Sequence, residues 1–135
     1  MSVANETKLT SVMPTMTVND IRASIAWYRD VMGFSVAREM EHEGQLVGAV
    51  VAAGAVQFLL GQDDFAKGKD RAKGVASRLY CIYDGDIDEF AEAIKSRGGT
   101  LEQEPTDQPW GARDFAVKDP DGFMIAMSNG AGMDG

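Results

Sequence analysis

The sequence is poor in the residues that form disulfides and imidazole metal centres. It has one cysteine, Cys81, and one histidine, His42, among 135 residues. A lone cysteine excludes an internal disulfide, gives no sign of a cysteine metal cluster and favours a reducing, cytoplasmic setting. A lone histidine excludes an iron or zinc centre held by several imidazoles. We expect His42 to lie in a solvated hairpin turn; a surface metal site with Glu41 or Glu43 is the alternative.

Long apolar runs and positive charge are also scarce. No run approaches the roughly 20 apolar residues that a membrane helix needs. Residues 1–10 lack the basic cluster and apolar stretch of a secretory signal. The 13 basic residues are outnumbered by 21 acidic ones, which gives a net charge of −8. Because nucleic-acid backbones require a positive surface, we expect neither nucleic acid nor a membrane as a partner.

What is present is an ordinary globular composition and an internal repeat. Hydrophobic residues make up 44% of the chain and charged residues 25%, and the length fits a single domain. Asp20 lies 13 residues before Gly33, and Asp86 lies 13 residues before Gly99. An acidic cap and a terminal glycine are typical of the two ends of a helix. Each helix is preceded by one β-prone stretch and followed by three, which predicts two βαβββ modules.

The first module is predicted over residues 10–62 and the second over 76–128, with a linker at 63–75 and a flexible tail at 129–135. Neither module can bury both faces of its sheet alone, so the two should pack on each other or on a second chain. Apolar residues at helical spacing predict helices over 21–32 and from 86 to the glycines at 98–99. The predicted strands are 12–18, 34–40, 46–53, 56–60, 79–83, 100–104, 113–117 and 123–127.

Two charged segments each have a structural and a functional interpretation. The linker carries Lys67, Lys69, Arg71 and Lys73 within seven positions. A solvated linker is the simpler interpretation, and a flap over an anionic ligand is the other. The segment 119–122, Asp-Pro-Asp-Gly, combines residues that favour a tight turn. Turn formation explains its two aspartates better than a carboxylate pair for acid–base chemistry.

Residues 18–34 and 109–123 carry a resemblance to a known family. The first segment reads Val-Asn-Asp-Ile, then Trp-Tyr-Arg-Asp and Met-Gly-Phe; the second contains Pro-Trp-Gly-Ala-Arg-Asp-Phe and Asp-Pro-Asp-Gly-Phe. In this order and at this separation, they resemble the glyoxalase/bleomycin-resistance/extradiol-dioxygenase family, the vicinal oxygen chelate superfamily, over about residues 12–128. The resemblance implies an α+β fold in which two βαβββ modules form a curled eight-stranded mixed sheet around a cleft. It also implies dimerisation, and we expect a homodimer.

Enzymes of that family hold a divalent metal on His, Gln and Glu side chains of the first and last strands of each module. The resemblance places three of these positions at Met13, Arg78 and Ala126. A thioether, a guanidinium and a methyl group cannot bind such an ion. Gln57 is the one plausible ligand near an expected position. The sequence therefore departs from the metalloenzyme pattern, and we expect no metal and no cofactor.

The alternation of side chains along strands predicts what the cleft contains. Met13 shares a face with Thr15, Arg78 with Tyr80, and Ala126 with Met124, so the cleft should be soft and apolar with one positive charge. Trp110, Arg113 and Phe115 have two interpretations. They could stack on and orient a planar or anionic ligand, or they could serve in the core and in a surface ion pair. The predicted ligand-binding residues are Met13, Thr15, Gln57, Arg78, Tyr80, Trp110, Arg113, Phe115 and Met124.

Three functions remain open at this point. The first is a metal-independent binding protein for a small aromatic or antibiotic-like compound, similar to the bleomycin-resistance branch. The second is a glyoxalase-like lyase or isomerase, or another enzyme of the superfamily, which needs a divalent metal or an oxyanion site centred on Arg78. The third is a non-catalytic regulatory subunit. We expect the first, because the ligand positions have lost their metal-binding side chains beside an apolar cleft.

Overall fold

Two strand–helix–strand–strand–strand modules follow one another in the computed structural model, which describes residues 7–132. This arrangement confirms the predicted α+β class. Part of the predicted tail, residues 133–135, lies outside the described residues. The strands are β1 (Thr15–Val18), β2 (Ser35–His42), β3 (Gln45–Ala53), β4 (Val56–Gln62), β5 (Arg78–Ile82), β6 (Leu101–Asp107), β7 (Arg113–Lys118) and β8 (Met124–Ser128).

The strands form two four-stranded sheets with the same topology. The orders are β1-β4-β3-β2 and β5-β8-β7-β6. In each sheet the first and last strands of the module are parallel, and the other pairs are antiparallel. Within residues 7–132 the two sheets are not joined, whereas the resemblance implied one curled sheet. β1 and β5 each keep one edge without a strand partner in that part of the chain.

Helix α1 (Ile21–Ala26) begins where the sequence predicts it. The Asp20 side chain accepts a hydrogen bond of 3.1 Å from the backbone N–H of Ala23, as an N-cap does. The predicted helix over 21–32 continues after α1 as a π-helical segment, Trp27–Val31. A π turn adds one residue to the helical repeat, a local change that apolar periodicity does not reveal.

Helix α2 (Ile87–Ser96) is the counterpart in the second module. The Asp86 carboxylate accepts a hydrogen bond of 3.0 Å from the N–H of Glu89, which confirms the predicted N-cap. Its buried positions, Ile87, Ala91 and Ile94, follow the predicted stripe. No helix among the described residues is both long and apolar enough to cross a membrane.

One buried cluster joins the two modules. It contains side chains from the helix-facing side of the first sheet, such as Met16 and Phe58, and of the second, such as Phe115 and Ile125. The modules therefore pack on each other through their helix-facing sides. Each sheet has its other side, called here its open face, directed away from that core. The separation of the two sheets follows from this packing.

The segment between β4 and β5 is held against the first module. The Lys73 ammonium lies 2.8 Å from the Asp63 carboxylate and 2.7 Å from the Asn19 amide oxygen, and Arg71 lies 3.2 Å from the same carboxylate. Hydrogen bonds, above all the one from Lys73, lower the pKa of Asp63 to about 2. Two of the four linker cations therefore have structural partners, which weakens the hypothesis of a basic flap.

Candidate functional site

The open face of the first sheet carries small polar and apolar side chains. Thr15 and Gln57 are exposed on it, and Leu59, the register partner of Thr15, is half-buried. Met13 lies just before β1 and is 41% exposed. The N–H of Leu59 donates to the carbonyl of Pro14 at 2.9 Å, which holds this end of the segment beside β4. The parallel pairing of β1 with β4 therefore brings Met13, Thr15 and Gln57 to the same end of the sheet.

The open face of the second sheet carries a cation and an aromatic ring. Parallel pairing sets Arg78 beside Met124, and Tyr80 beside Ala126. Arg78 is exposed and makes no ion pair within residues 7–132. Tyr80 and Met124 are half-buried. The structure thus brings together four residues that the sequence predicted to share a face.

A buried carboxylate on this face was not predicted. Asp114 is 4% exposed, and its Oδ1 accepts hydrogen bonds from the side-chain amides of Gln103 and Gln108, each at 2.8 Å. Its Oδ2 accepts a longer bond of 3.4 Å from the Tyr80 hydroxyl. These partners satisfy the carboxylate and fix the phenol ring. Asp114 lies between Arg113 and Phe115, so alternation along β7 could have identified it.

The Tyr80–Asp114 hydrogen bond passes over Ala126, one of the positions where the resemblance places a metal ligand. Ala126 lies on β8 between Tyr80 and β7, and the Tyr80 side chain crosses this strand to reach Asp114. Ala126 is 1% exposed. Within residues 7–132, His, Cys, Asp and Glu side chains form no group of three or more that could hold a metal ion. The side chains of Met13, Arg78 and Ala126 are not suitable ligands for the metal of the family enzymes.

Three predicted ligand-binding residues do not lie on the open face. Phe115 is fully buried on the helix-facing side, 5.4 Å from Phe90 between ring centroids. The Arg113 guanidinium lies 2.8 Å from Asp88 and 3.0 Å from Asp107, and these hydrogen bonds raise its pKa. Their alternative interpretations, core packing and a surface ion pair, describe them better. Trp110 lies in the β6–β7 turn and is 48% exposed, so it is neither core nor part of either face.

The single histidine and the single cysteine of the sequence lie apart from this face. His42 ends β2 at an exposed hairpin turn, 3.9 Å from Glu43. Cys81 is half-buried and packs against the core on the helix-facing side. Burial raises the pKa of its thiol, which disfavours the nucleophilic thiolate. Both placements agree with the structural interpretations of these residues.

Comparison with known proteins identifies the family. The model of the Glyoxalase/Bleomycin resistance protein/Dioxygenase superfamily matches residues 8–127. A probable lactoylglutathione lyase of Vibrio cholerae serotype O1 is 31% identical over 124 residues, which is 83% of this chain and 84% of that protein.

Solved structures share the fold at lower identity. TioX from Micromonospora sp. ML1 superposes with a TM-score of 0.70 at 21% identity, over 88% of this chain and 98% of that one. A superfamily member from Sphaerobacter thermophilus superposes with a TM-score of 0.69 at 23% identity, over 88% and 97% of the two chains. The family match over nearly the whole chain is decisive: this protein belongs to the glyoxalase/bleomycin resistance protein/dioxygenase superfamily.

Proposed function

We propose that this chain is a metal-independent binding protein that holds a small aromatic or antibiotic-like compound on the open faces of its sheets. One observation carries the proposal: the positions where the resemblance places the metal ligands, Met13, Arg78 and Ala126, carry a thioether, a guanidinium and a methyl group. The Tyr80–Asp114 hydrogen bond also crosses the strand at the third of these positions. The cytoplasmic setting that the single cysteine favours belongs to the same proposal.

The side chains on these faces suit a planar ligand with one polar group. The Tyr80 ring is fixed by its hydrogen bond and offers a surface for stacking. Met124 provides a polarizable, adaptable contact beside it. Arg78, which has no carboxylate partner among the described residues, would orient an acidic or carbonyl group. Affinity would come from apolar burial at roughly 25 cal/mol per Å², less the entropy of association.

The proposal includes a homodimer. Because the modules of one chain pack through their helix-facing sides, their open faces cannot enclose a ligand between them. β1 and β5 also keep one unpaired edge each within the described chain, which a second copy could cover. A cleft would then form between the open faces of different chains. Sedimentation equilibrium tests this part; a monomer at micromolar concentration would contradict it.

A glyoxalase-like lyase is the second candidate, and the Vibrio cholerae relative favours it. The donor set does not fit the metal, so such an enzyme would depend on an oxyanion site at Arg78. Lactoylglutathione lyase activity that Arg78→Gln abolishes would support this candidate over the first. The matched control is Arg22→Gln, since Arg22 is exposed on α1.

The deciding experiment is calorimetric titration of chelator-treated protein with nickel, zinc, manganese and ferrous ions. We expect no stoichiometric binding of any of the four. A screen of planar antibiotics against the same protein should then give ligands whose affinity falls in Arg78→Gln and not in Arg22→Gln. A tight, stoichiometric metal isotherm would overturn the metal-independent proposal and favour the enzyme.

A further inference from the structure

A groove of about 720 Å³ lies between the two modules, mainly on the helix-facing side. Its walls come from α2, the end of β5, the β3–β4 turn and the residues that precede β2. It is a different site from the one proposed above and does not depend on it. The side chains that matter most are Phe34, Cys81, Tyr83, Phe90, Arg97 and Met127.

Aromatic rings form the middle of the groove. Tyr83 and Phe90 stack with centroids 4.4 Å apart and planes inclined by 31°. Phe90 is held from below by an edge-to-face contact with the buried ring of Phe115 at 5.4 Å. Tyr83 remains 37% exposed, so its ring is available to a ligand. A rigid, partly exposed aromatic surface of this kind suits a flat apolar molecule.

The guanidinium of Arg97 lies at one end of the groove. Arg97 caps the C-terminus of α2, and its Nε donates to the carbonyl of Val31 at 2.8 Å, which directs the side chain across to the first module. Gly33 leaves room for it, since a Cβ there would lie 3.3 Å from Nη2. Arg97 forms no ion pair within residues 7–132. A ligand carboxylate could therefore take its remaining N–H donors.

Two carboxylates lie at the other end. Asp84 and Glu89 line the groove near the start of α2 and form no ion pair within the described part of the chain. Glu89 and Arg97 are eight residues apart, which separates them by about 12 Å along the helix axis. The groove is thus acidic at one end, aromatic in the middle and basic at the other end.

We propose that this groove binds an elongated aromatic molecule that has an ammonium group at one end and a carboxylate at the other. The ammonium group lies beside Asp84 and Glu89, the carboxylate lies on Arg97, and the aromatic body stacks on Tyr83 and Phe90. Charge complementarity at both ends fixes the orientation of the ligand. A purely apolar compound would leave both ends without partners.

The probe is 4′-(aminomethyl)biphenyl-4-carboxylic acid, used with its methyl ester and its N-acetyl derivative. Calorimetry should show one site on the intact protein. Arg97→Gln should weaken binding of the acid about tenfold and leave binding of the ester unchanged. Glu89→Gln should weaken binding of the free amine and leave binding of the N-acetyl compound unchanged. Each comparison separates a lost charge pair from a general disturbance of the fold.

A second readout uses the only cysteine of the chain, which lines the groove. Because burial raises the pKa of the Cys81 thiol, its alkylation is measured at alkaline pH. The probe should slow this alkylation in the wild type. Ala93→Trp fills the groove from α2 and should abolish binding, whereas Ala23→Trp, on the exposed side of α1, should not.

Three results would overturn the proposal. Equal affinity of the wild type and Ala93→Trp would place the probe elsewhere. An equal loss of acid and ester binding in Arg97→Gln would make Arg97 a tether between the modules and not a ligand contact. Slow alkylation of Cys81 in the absence of the probe, which becomes faster when the protein is diluted, would show that a second copy of the chain occupies the groove.

Discussion

The two modules meet at two junctions. The internal repeat makes them equivalent, because each lies between the turn before the last strand of one module and the helix of the other. Side chains bridge only one of the two. At the anchored junction, the β7–β8 turn (119–122) reaches the first turn of α1. Asp121 accepts hydrogen bonds from the Asn19 N–H at 2.8 Å and the Ser24 hydroxyl at 3.3 Å. At the open junction, the β3–β4 turn around Gly54 faces the start of α2 across the groove.

The difference between the two junctions comes from the side chains of their turns, since the order of strands and helices is the same in both modules. Asp119 and Asp121 have carboxylates long enough to cross the anchored junction, and Asp119 also accepts the buried Tyr28 hydroxyl at 2.9 Å. The turn at the open junction, residues 53–55, reads Ala-Gly-Ala and offers only methyl groups. A repeated fold therefore does not imply repeated packing; the acidic turn closes one gap, and its absence leaves a binding groove at the other.

The largest effect is expected from adding a methyl group to the turn glycines. Gly122 has φ +103°, and a Cβ there would lie 2.9 Å from the carbonyl oxygen of Lys73. Gly54 has φ +57° and no atom within 4 Å of a Cβ. We expect Gly122→Ala to lower the free energy of unfolding by about 3 kcal/mol and Gly54→Ala by about 1 kcal/mol. Urea denaturation measures both, and equal losses would remove the distinction between the junctions.

Tyr28→Phe tests the hydrogen bond at the anchored junction. It should cost about 2 kcal/mol at neutral pH, because the buried Asp119 carboxylate loses a donor. Burial already raises the pKa of Asp119, and loss of this bond should raise that pKa further. A raised folded pKa disfavours the folded state as pH rises through it, so the cost should shrink as pH falls through the folded pKa of Asp119, which lies above the ordinary value of about 4. Tyr83→Phe at the open junction is the control and should cost almost nothing.

Asp63→Asn tests the linker that runs beside the anchored junction. The pKa of Asp63 is lowered to about 2, chiefly by the hydrogen bond from Lys73. The stability that this carboxylate contributes is complete above its unfolded pKa of about 4 and is lost as pH falls toward 2. Asp63→Asn should therefore lower stability at neutral pH and flatten its loss in acid. Asp64→Asn, at an exposed neighbour, should leave the wild-type pH profile unchanged.

The fold could be predicted because its signals are local. Asp20 and Asp86 cap helices, and Gly33, with φ +83°, follows the first helical region. Alternation also placed Arg78 and Tyr80 on one face with Met124. The π-helical segment was missed, since its buried residues keep an almost helical spacing.

Alternation along a single strand predicts the face on which a side chain lies. The site was predicted only where that information is sufficient. Phe115 was assigned to the ligand because its residue type suits stacking, yet its register partner Met127 belongs to the core side. The same register places Asp114 on the open face, where its carboxylate meets side chains from β5 and β6. The groove could not be predicted, because it exists only between modules whose packing no local pattern specifies.

The smallest change in stability is expected at the open junction itself. Tyr83 is 37% exposed, and its contact with Phe90 is a stack at the edge of the core. Tyr83→Leu should therefore lower the free energy of unfolding by only about 0.5 kcal/mol. It should nonetheless weaken binding of the biphenyl probe, since the ring is a wall of the groove. A large stability loss without a change in affinity would mean that Tyr83 closes this junction by packing, as the aspartates close the other.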